Sequence, residues 1–205
     1  MKKFLIAALM VASYVTTQAQ QPVGTISIQS KVGLNLASMT EAGDDSKIRV
    51  GFAAGAEGLY QVSDIFGISA GLLYSQQGVK GDVGSAEGTI KMDYLNVPVL
   101  ANVYVAKGLA VKIGFQPGFL INDKIKAEVS GVSAEMGIKE AFRYGNIDVD
   151  VKSLDFTIPV GLSYEISNFV IDARYNWGLT KTIDGVGDGT KNSVFQFTLG
   201  YKFVL

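Results

Sequence analysis

Apolar and polar residues alternate along most of this chain, and the alternation is clearest near its C-terminal end. From residue 195 to residue 203, every second residue is Phe, Leu or Tyr, and the residues between them are small, polar or charged. A period of two is typical of a β-strand whose two faces meet different surroundings. The same period predicts eight strands, with apolar frames over residues 26–36, 48–60, 66–74, 95–105, 109–121, 156–166, 169–179 and 195–205.

The charged residues of these segments occupy the face opposite the apolar residues. No charged residue lies in an apolar frame, and the alternate positions also hold amides and many glycines. Such strands are typical of a closed membrane barrel with lipid outside and a polar lumen inside. The sequence therefore predicts an all-β fold, an eight-stranded antiparallel up-and-down transmembrane β-barrel. The predicted lumen charge network consists of Lys31, Arg49, Glu57, Lys112, Asp155, Glu165, Asp172, Arg174 and Lys202.

The lengths of the connections alternate in the same way. Short connections are predicted at residues 61–64, 106–108 and 167–168, and longer ones rich in Gly, Asp, Ser and Lys at residues 39–47, 77–88, 122–153 and 180–192. Bacterial outer-membrane barrels have short periplasmic turns and long outer loops. Both chain termini are therefore expected in the periplasm.

Three prolines and one change of parity interrupt the pattern. Pro98, Pro117 and Pro159 fall inside strand candidates, and each is expected to mark a bulge or a strand end because proline lacks a backbone donor. The apolar residues 90, 92 and 94 share one parity, whereas those from residue 95 onward share the other. A β-bulge near Tyr94 would bring the two halves onto one face.

Aromatic residues cluster toward the predicted strand ends. An interfacial girdle would favour rings at these positions. The alternative is that aromatic residues simply favour strands. The girdle residues predicted near the short turns are Tyr60, Phe66, Tyr104, Tyr164, Phe169 and Tyr201.

The N-terminus has the features of an export signal. Lys2 and Lys3 precede an apolar stretch over residues 4–15, and residues 17–19 (TQA) supply a small-residue cleavage site. The apolar stretch is too short to span a bilayer as a helix. We therefore predict a cleaved signal peptide at residues 1–19, one barrel domain at residues 20–205, and localisation in the outer membrane of a Gram-negative cell.

Composition narrows the possible functions. The chain has no cysteine, which excludes disulfides and thiolate metal sites, and its formal net charge of −1 argues against nucleic acid as a partner. It also has no histidine, the usual general base near neutral pH. Carboxylate-only catalysis by the lumen acids stays open, but pairing of these acids with lumen bases is the simpler interpretation. We therefore predict no enzyme activity, no cofactor and no metal, and the alternative to the last is a weak cation site at Asp184 and Asp188 or at Asp44 and Asp45.

Three stretches carry a family resemblance: residues 94–100 (YLNVPVL), 155–164 (DFTIPVGLSY) and 197–203 (FTLGYKF). In this order they resemble the PorT-like outer-membrane β-barrel proteins of Bacteroidetes. The resemblance implies an eight-stranded, porin-like barrel in contact with outer-membrane lipid, and PorT itself is associated with type IX secretion. Many such barrels end in a Phe that the barrel-assembly machinery reads, whereas this chain ends in residues 203–205 (FVL).

The connection from Asn122 to Ser153 is the longest and the most promising surface for a partner. Residues 124–129 and 147–151 alternate like strands and would extend the barrel as a protruding hairpin, with a short helix within residues 134–142. This protrusion would either bind a partner or shield the mouth of the barrel.

Three function classes remain open from the sequence. The first is a non-enzymatic structural, interaction or assembly barrel with a largely plugged lumen. The second, the alternative to it, is a porin-like passive channel for small solutes. The third is a soluble exported barrel that binds lipid inside, with the opposite polarity. Eight strands enclose a lumen just wide enough for side chains to fill, which favours the first class.

Overall fold

The computed structural model describes residues 21–40, 46–83, 86–129, 132–185 and 189–205, so the predicted signal peptide lies outside the described residues. Nearly all regular structure in these ranges is β-strand, and no helix among them is long and apolar enough to cross a bilayer. The elements are β1 (Ile26–Met39), β2 (Ser46–Ser63), β3 (Phe66–Val83), β4 (Ala86–Asn96), β5 (Val99–Ala106), β6 (Leu109–Val129), β7 (Val132–Met136), α1 (Ile138–Tyr144), β8 (Asp150–Val151), β9 (Leu154–Ile166), β10 (Phe169–Gly178), β11 (Ile183–Asp184) and β12 (Asn192–Val204).

The long strands close into a ring of eight antiparallel positions. β1 pairs with β2 and β12, and the order continues through β10, β9 and β6 to β4 and β5, then to β3 and back to β2. β4 and β5 occupy one position in the ring, because the strand is interrupted at Pro98. Both segments pair with β3 and with β6. The predicted eight-stranded antiparallel barrel is confirmed.

Short turns gather at one end of the ring, here called the turn end. Residues 64–65, 107–108 and 167–168 make these turns, and Gly108 adopts a positive φ of 82° that favours glycine. Ser27 at the start of β1 pairs with Val204 at the end of β12, so the first and last strands meet at this end too. The opposite end is called the loop end.

The two faces of the strands differ as the alternation predicts. Val32 and Leu199 point outward and are 55% and 51% exposed, whereas Lys31 and Asp172 on the alternate face are 1% exposed. Tyr104 is an exception to the predicted girdle. It is buried because it lies at an inward position, and its hydroxyl group donates to Oε1 of Glu165 over 3.2 Å.

The prolines behave in two ways. Pro98 separates β4 from β5, so the prediction of a strand end is confirmed there. Pro117 and Pro159 lie inside β6 and β9 in a continuous register, opposite Phe156 and Asn176, so the prediction is wrong for these two. Proline removes only the donor of a residue, and the carbonyl of Pro117 still accepts a hydrogen bond from Val97 over 2.8 Å.

The register between β4 and β6 shifts beside Tyr94, where a bulge was predicted. The extra residue belongs to β6, because Tyr94 pairs with Leu120 and Asp93 pairs with Asn122. The alternation of β4 is therefore unbroken, and Met92 and Tyr94 stay fully buried rather than joining the outward face. The expectation that a bulge would reconcile the two halves is wrong.

Beyond the ring, the structure at the loop end is more ordered than the sequence predicts. The expected connection at residues 77–88 is mostly strand, because β3 reaches Val83 and β4 begins at Ala86. Residues 124–129 extend β6 as predicted, but they pair with β7, while β8 pairs with β11. The helix α1 begins later than predicted, because β7 occupies residues 132–136.

These elements pack around an apolar cluster, here called the cap core. Met39 comes from β1 and Leu120 from β6, which lie on opposite sides of the ring, so the cluster spans the loop end. Its buried members are Met39, Val79, Met92, Tyr94, Ile138, Val149, Val151 and Ile183, with Ile90, Leu120, Ile125 and Phe142 packed against them.

Candidate functional site

Five charged side chains meet inside the ring. Lys31 on β1, Glu57 on β2, Lys112 on β6, and Asp172 and Arg174 on β10 all point inward because they occupy the polar parity of their strands. We call this group the central cluster. Its side chains are between 0% and 7% exposed.

Each acid of the central cluster contacts all three bases. Oδ2 of Asp172 lies 3.2 Å from Nζ of Lys31, 2.9 Å from Nζ of Lys112 and 2.8 Å from Nη2 of Arg174. Glu57 lies 3.0 Å from Lys31, 3.3 Å from Lys112 and 3.2 Å from Arg174. The contact between Arg174 and Asp172 is bidentate, because Nε also donates to Oδ1 over 2.8 Å.

Glycines on the neighbouring strands make room for these long side chains. Lys31 pairs with Gly55 and Gly200. Gly161 lies opposite Arg174, and a Cβ at this glycine would lie 2.7 Å from Cβ of Arg174. A side chain at such a position would compete with the cluster for the narrow lumen.

Three bases face two acids in the central cluster, so the ion pairs leave one positive charge in excess. Nη1 of Arg174 is buried and has no hydrogen-bond partner among the described residues. Both oxygens of Glu57 and both oxygens of Asp172 accept from nitrogen or hydroxyl donors. The arrangement therefore holds four strands together through charge-assisted hydrogen bonds and leaves neither carboxylate free to bind a substrate.

The other four predicted residues lie apart from the central cluster. Lys202 and Glu165 form a separate buried ion pair, and Arg49 contacts Asp93 at 3.7 Å. Asp155 has no basic partner among the described contacts, and it accepts hydrogen bonds of 2.8 Å from a hydroxyl and an amide, those of Thr180 and Asn192. The nine predicted residues therefore do not form one continuous network.

Some polar partners are absent from the sequence prediction. Ser69 donates to Oε1 of Glu57 over 3.0 Å, and Asn102 donates to Ser69 over 3.0 Å. Asn102 lies at an inward amide position of the alternation, but the predicted network consists of charged residues alone. Asp93, the partner of Arg49, could not be found by parity because it lies where the register of β4 and β6 shifts.

No group of three or more Asp or Glu side chains in the described ranges is placed to hold a metal ion. Of the aspartates in the alternative cation sites, Asp184 contacts Lys181 at 3.7 Å, and Asp44, Asp45 and Asp188 lie outside the described residues.

Known proteins that resemble this chain are outer-membrane β-barrels. A family model described as "Outer membrane protein beta-barrel domain" matches residues 18–184. Neisserial surface protein A has a similar structure with a TM-score of 0.51 and 13% identity, over 87% of this chain and 97% of that one. Ail, the attachment invasion locus protein of Yersinia pestis, gives a TM-score of 0.49 and 18% identity, over 89% of this chain and 100% of that one.

A third similar structure is the outer membrane protein OprG from Pseudomonas aeruginosa, with a TM-score of 0.48 and 13% identity, over 91% of this chain and 99% of that one. No sequence among curated proteins matches the chain. At 13% identity, Neisserial surface protein A supports the fold alone.

Proposed function

Because this chain belongs to the family of outer membrane protein β-barrel domains, we propose that it is a non-enzymatic structural or interaction barrel whose lumen is closed to solutes. The observation that carries the proposal is the central cluster. Its five side chains come from β1, β2, β6 and β10. Lys31 and Glu57 lie on neighbouring strands, but the other salt bridges between these strands cross the lumen between strands that are not neighbours. A lumen of eight strands has little space left beside them.

The cap core supports closure of the lumen at a second position, the loop end of the barrel. Met92, Tyr94 and Ile138 are fully buried in it, and it joins strands from opposite sides of the ring. Burying apolar side chains there stabilises the closed mouth by roughly 1.5 to 3 kcal/mol for each large residue. A solute entering from the loop end would have to disrupt this packing before reaching the central cluster.

The interaction role rests on the surface of the segment from Asn122 to Ser153. Tyr144 at the end of α1 is 78% exposed, and Ile147 is 47% exposed. Arg143 and Lys139 flank them beside a cavity of about 340 Å³. An exposed aromatic residue bordered by bases is typical of a protein-binding surface, since Tyr and Arg are enriched there. We assign this surface to a partner outside the cell.

The PorT-like assignment is part of the same proposal. It rests on the order of the three stretches at residues 94–100, 155–164 and 197–203, with the Pro98 break that separates β4 from β5. It implies export behind a cleaved signal peptide at residues 1–19 and insertion by the barrel-assembly machinery.

Accessibility of single cysteines tests the closed lumen, because the chain has no cysteine of its own. Gln116 points into the lumen between the central cluster and the cap core and is 2% exposed, while Tyr144 lies at the outer surface. In the folded protein, a small charged thiol reagent should modify Tyr144→Cys rapidly and Gln116→Cys only after unfolding. Heat-dependent gel mobility would verify that both variants fold.

Equal modification rates at the two positions would show a water-filled lumen and would favour the porin-like passive channel. Protection of both cysteines would show that the reagent fails in this system, and a third variant, Asp64→Cys in an exposed turn, controls for that outcome.

A further inference from the structure

A groove lies on the outer surface of the barrel where β9 and β10 reach the loop end. It encloses about 550 Å³, and Leu154 and Phe156 form its floor. Both residues lie on the outward face of β9 and are 39% and 40% exposed, so the floor continues the apolar face of the barrel. Because this face meets hydrocarbon in a membrane barrel, the floor is suited to an acyl chain.

Two lysines line the groove beyond its apolar floor. Lys152 precedes β9 and Lys181 follows β10, and their side chains are 44% and 47% exposed. The stem of Lys181 passes over Gly189, where a Cβ would lie 2.6 Å from Cδ of the lysine. Any side chain at residue 189 would therefore displace the lysine stem.

Each of these two lysines contacts an aspartate. Asp150 lies 2.5 Å from Lys152 and 3.1 Å from Lys139, and Asp184 lies 3.7 Å from Lys181. The hydrogen bond from Lys152 keeps the pKa of Asp150 below its usual value, so this aspartate stays ionised at neutral pH. Two lysines and one acid, Asp184, line the groove, so its lining has one positive charge in excess.

We propose that this groove binds an outer-leaflet lipid whose phosphorylated headgroup has a net negative charge, its acyl chain against Leu154 and Phe156 and its phosphate at Lys152 and Lys181. Leu154 and Phe156 lie on the membrane side of the groove, and the two lysines lie beyond them toward the loop end. A lipid has its acyl chain and its phosphate in the same order. Thr180 fixes the wall of the groove, because its Oγ1 accepts from the backbone N–H of Phe156 and donates to Asp155, both over 2.8 Å. The strand ends therefore present a preformed site.

The single tryptophan of the chain reports on this site directly. Trp177 lies on the outward face of β10, is 58% exposed and pairs with Ile158, two residues from Phe156. At a rise of about 3.4 Å per residue, the indole lies within roughly 7 Å of the floor along the strand. Lipids with bromine on their acyl chains quench such an indole when they occupy the groove.

The test uses the full barrel in phosphatidylcholine vesicles that contain increasing fractions of brominated lipid. Brominated phosphatidylglycerol should quench Trp177 at lower fractions than brominated phosphatidylcholine does. Each lysine beside an anionic headgroup accounts for about a fivefold change in affinity, so the double variant Lys152→Gln/Lys181→Gln should lose most of this preference. The double variant Lys124→Gln/Lys126→Gln removes the same charge from the outward face of β6 and should keep the preference.

Two results would overturn the proposal. The first is equal quenching by both brominated lipids in the unmodified protein, which needs no variant to interpret. The second is an equal loss of preference in both double variants, which would show general attraction to the charged surface instead of a site. Unchanged heat-dependent gel mobility would verify that each variant still forms the barrel.

Discussion

Replacing Asp172 with Asn should destabilise the barrel more than replacing Arg174 with Met does. Asn has nearly the same shape, so the change removes charge and leaves volume almost unaltered. Asp172 contacts Lys31, Lys112 and Arg174 at distances between 2.8 and 3.2 Å, and all three are at most 7% exposed. The variant would leave three buried bases facing the single carboxylate of Glu57.

The expected magnitude follows from the imbalance of charge. Breaking a buried ion pair by removing one partner costs about 3 to 5 kcal/mol, because a charge stays buried without compensation. Arg174→Met instead leaves two bases facing two acids, so it should cost less, about 1.5 to 3 kcal/mol for the lost charged hydrogen bonds. The double variant Asp172→Asn/Arg174→Met should be more stable than the sum of the single changes indicates, by about 1 kcal/mol or more.

Equilibrium unfolding by guanidinium in phospholipid vesicles, followed through the fluorescence of Trp177, measures these free energies. Asp64→Asn in an exposed turn is the matched control and should change the free energy of unfolding by no more than about 0.5 kcal/mol. The reasoning is refuted if Asp172→Asn is no more harmful than Arg174→Met. Strict additivity in the double variant would also refute it, because the two residues would then not be coupled.

Three further predictions concern the outward face, the cap core and the surface of the loop end. Leu199→Arg should cost about 2 to 4 kcal/mol of unfolding free energy if Leu199 lies near the middle of the membrane, while Leu199→Met should be nearly neutral, and equal stability of the two would argue against lipid contact. Met92→Ala should cost about 2 to 5 kcal/mol because Met92 is fully buried, whereas Met136→Ala at a 37% exposed site should cost far less in the same unfolding assay. By NMR titration, Asp150 should release its proton below the usual pH for aspartate, and Lys152→Gln should raise that pKa; no movement would show that the hydrogen bond between them does not persist in solution.

The barrel itself could be predicted from the sequence because lipid imposes a strict rule on each strand. Every second residue must tolerate hydrocarbon, and a charged residue at one of these positions would be costly. The strands can therefore be assigned from the alternation alone, without knowing which strand pairs with which. Val32 and Lys31 illustrate this, since their outward and inward positions follow from alternation alone. The short turns could be predicted for the same reason, because they are the interruptions of the pattern.

The geometry of the lumen could not be predicted because it depends on strand stagger. Parity shows that Lys31 and Asp172 both point inward, but the register decides that they lie at one height while Asp155 lies near Thr180 and Asn192. For this reason the sequence predicts one network of nine charged residues. Alternation excludes a register shift by one residue, but a shift by two residues keeps every side chain on its face and moves the charges along the lumen.

The cap core escaped prediction for a different reason. The alternation predicts Met92 and Tyr94 as lipid-facing residues displaced by a bulge, because an apolar residue in a barrel strand is expected to face lipid. Beyond the ring, however, the inward face packs against Ile138 and Ile183, which arrive from distant parts of the chain. Alternation alone cannot distinguish an apolar face in contact with lipid from one covered by protein.

Conductance across a planar lipid bilayer tests the closed lumen most directly. We propose that the central cluster and the cap core close the lumen at two levels, and on this proposal the purified, folded protein should produce no large and stable single-channel currents. Insertion must be verified independently, by protease protection of the reconstituted barrel. Reproducible single-channel steps from the unmodified protein, with a conductance that rises with salt concentration, would contradict a closed lumen and identify the chain as a passive channel.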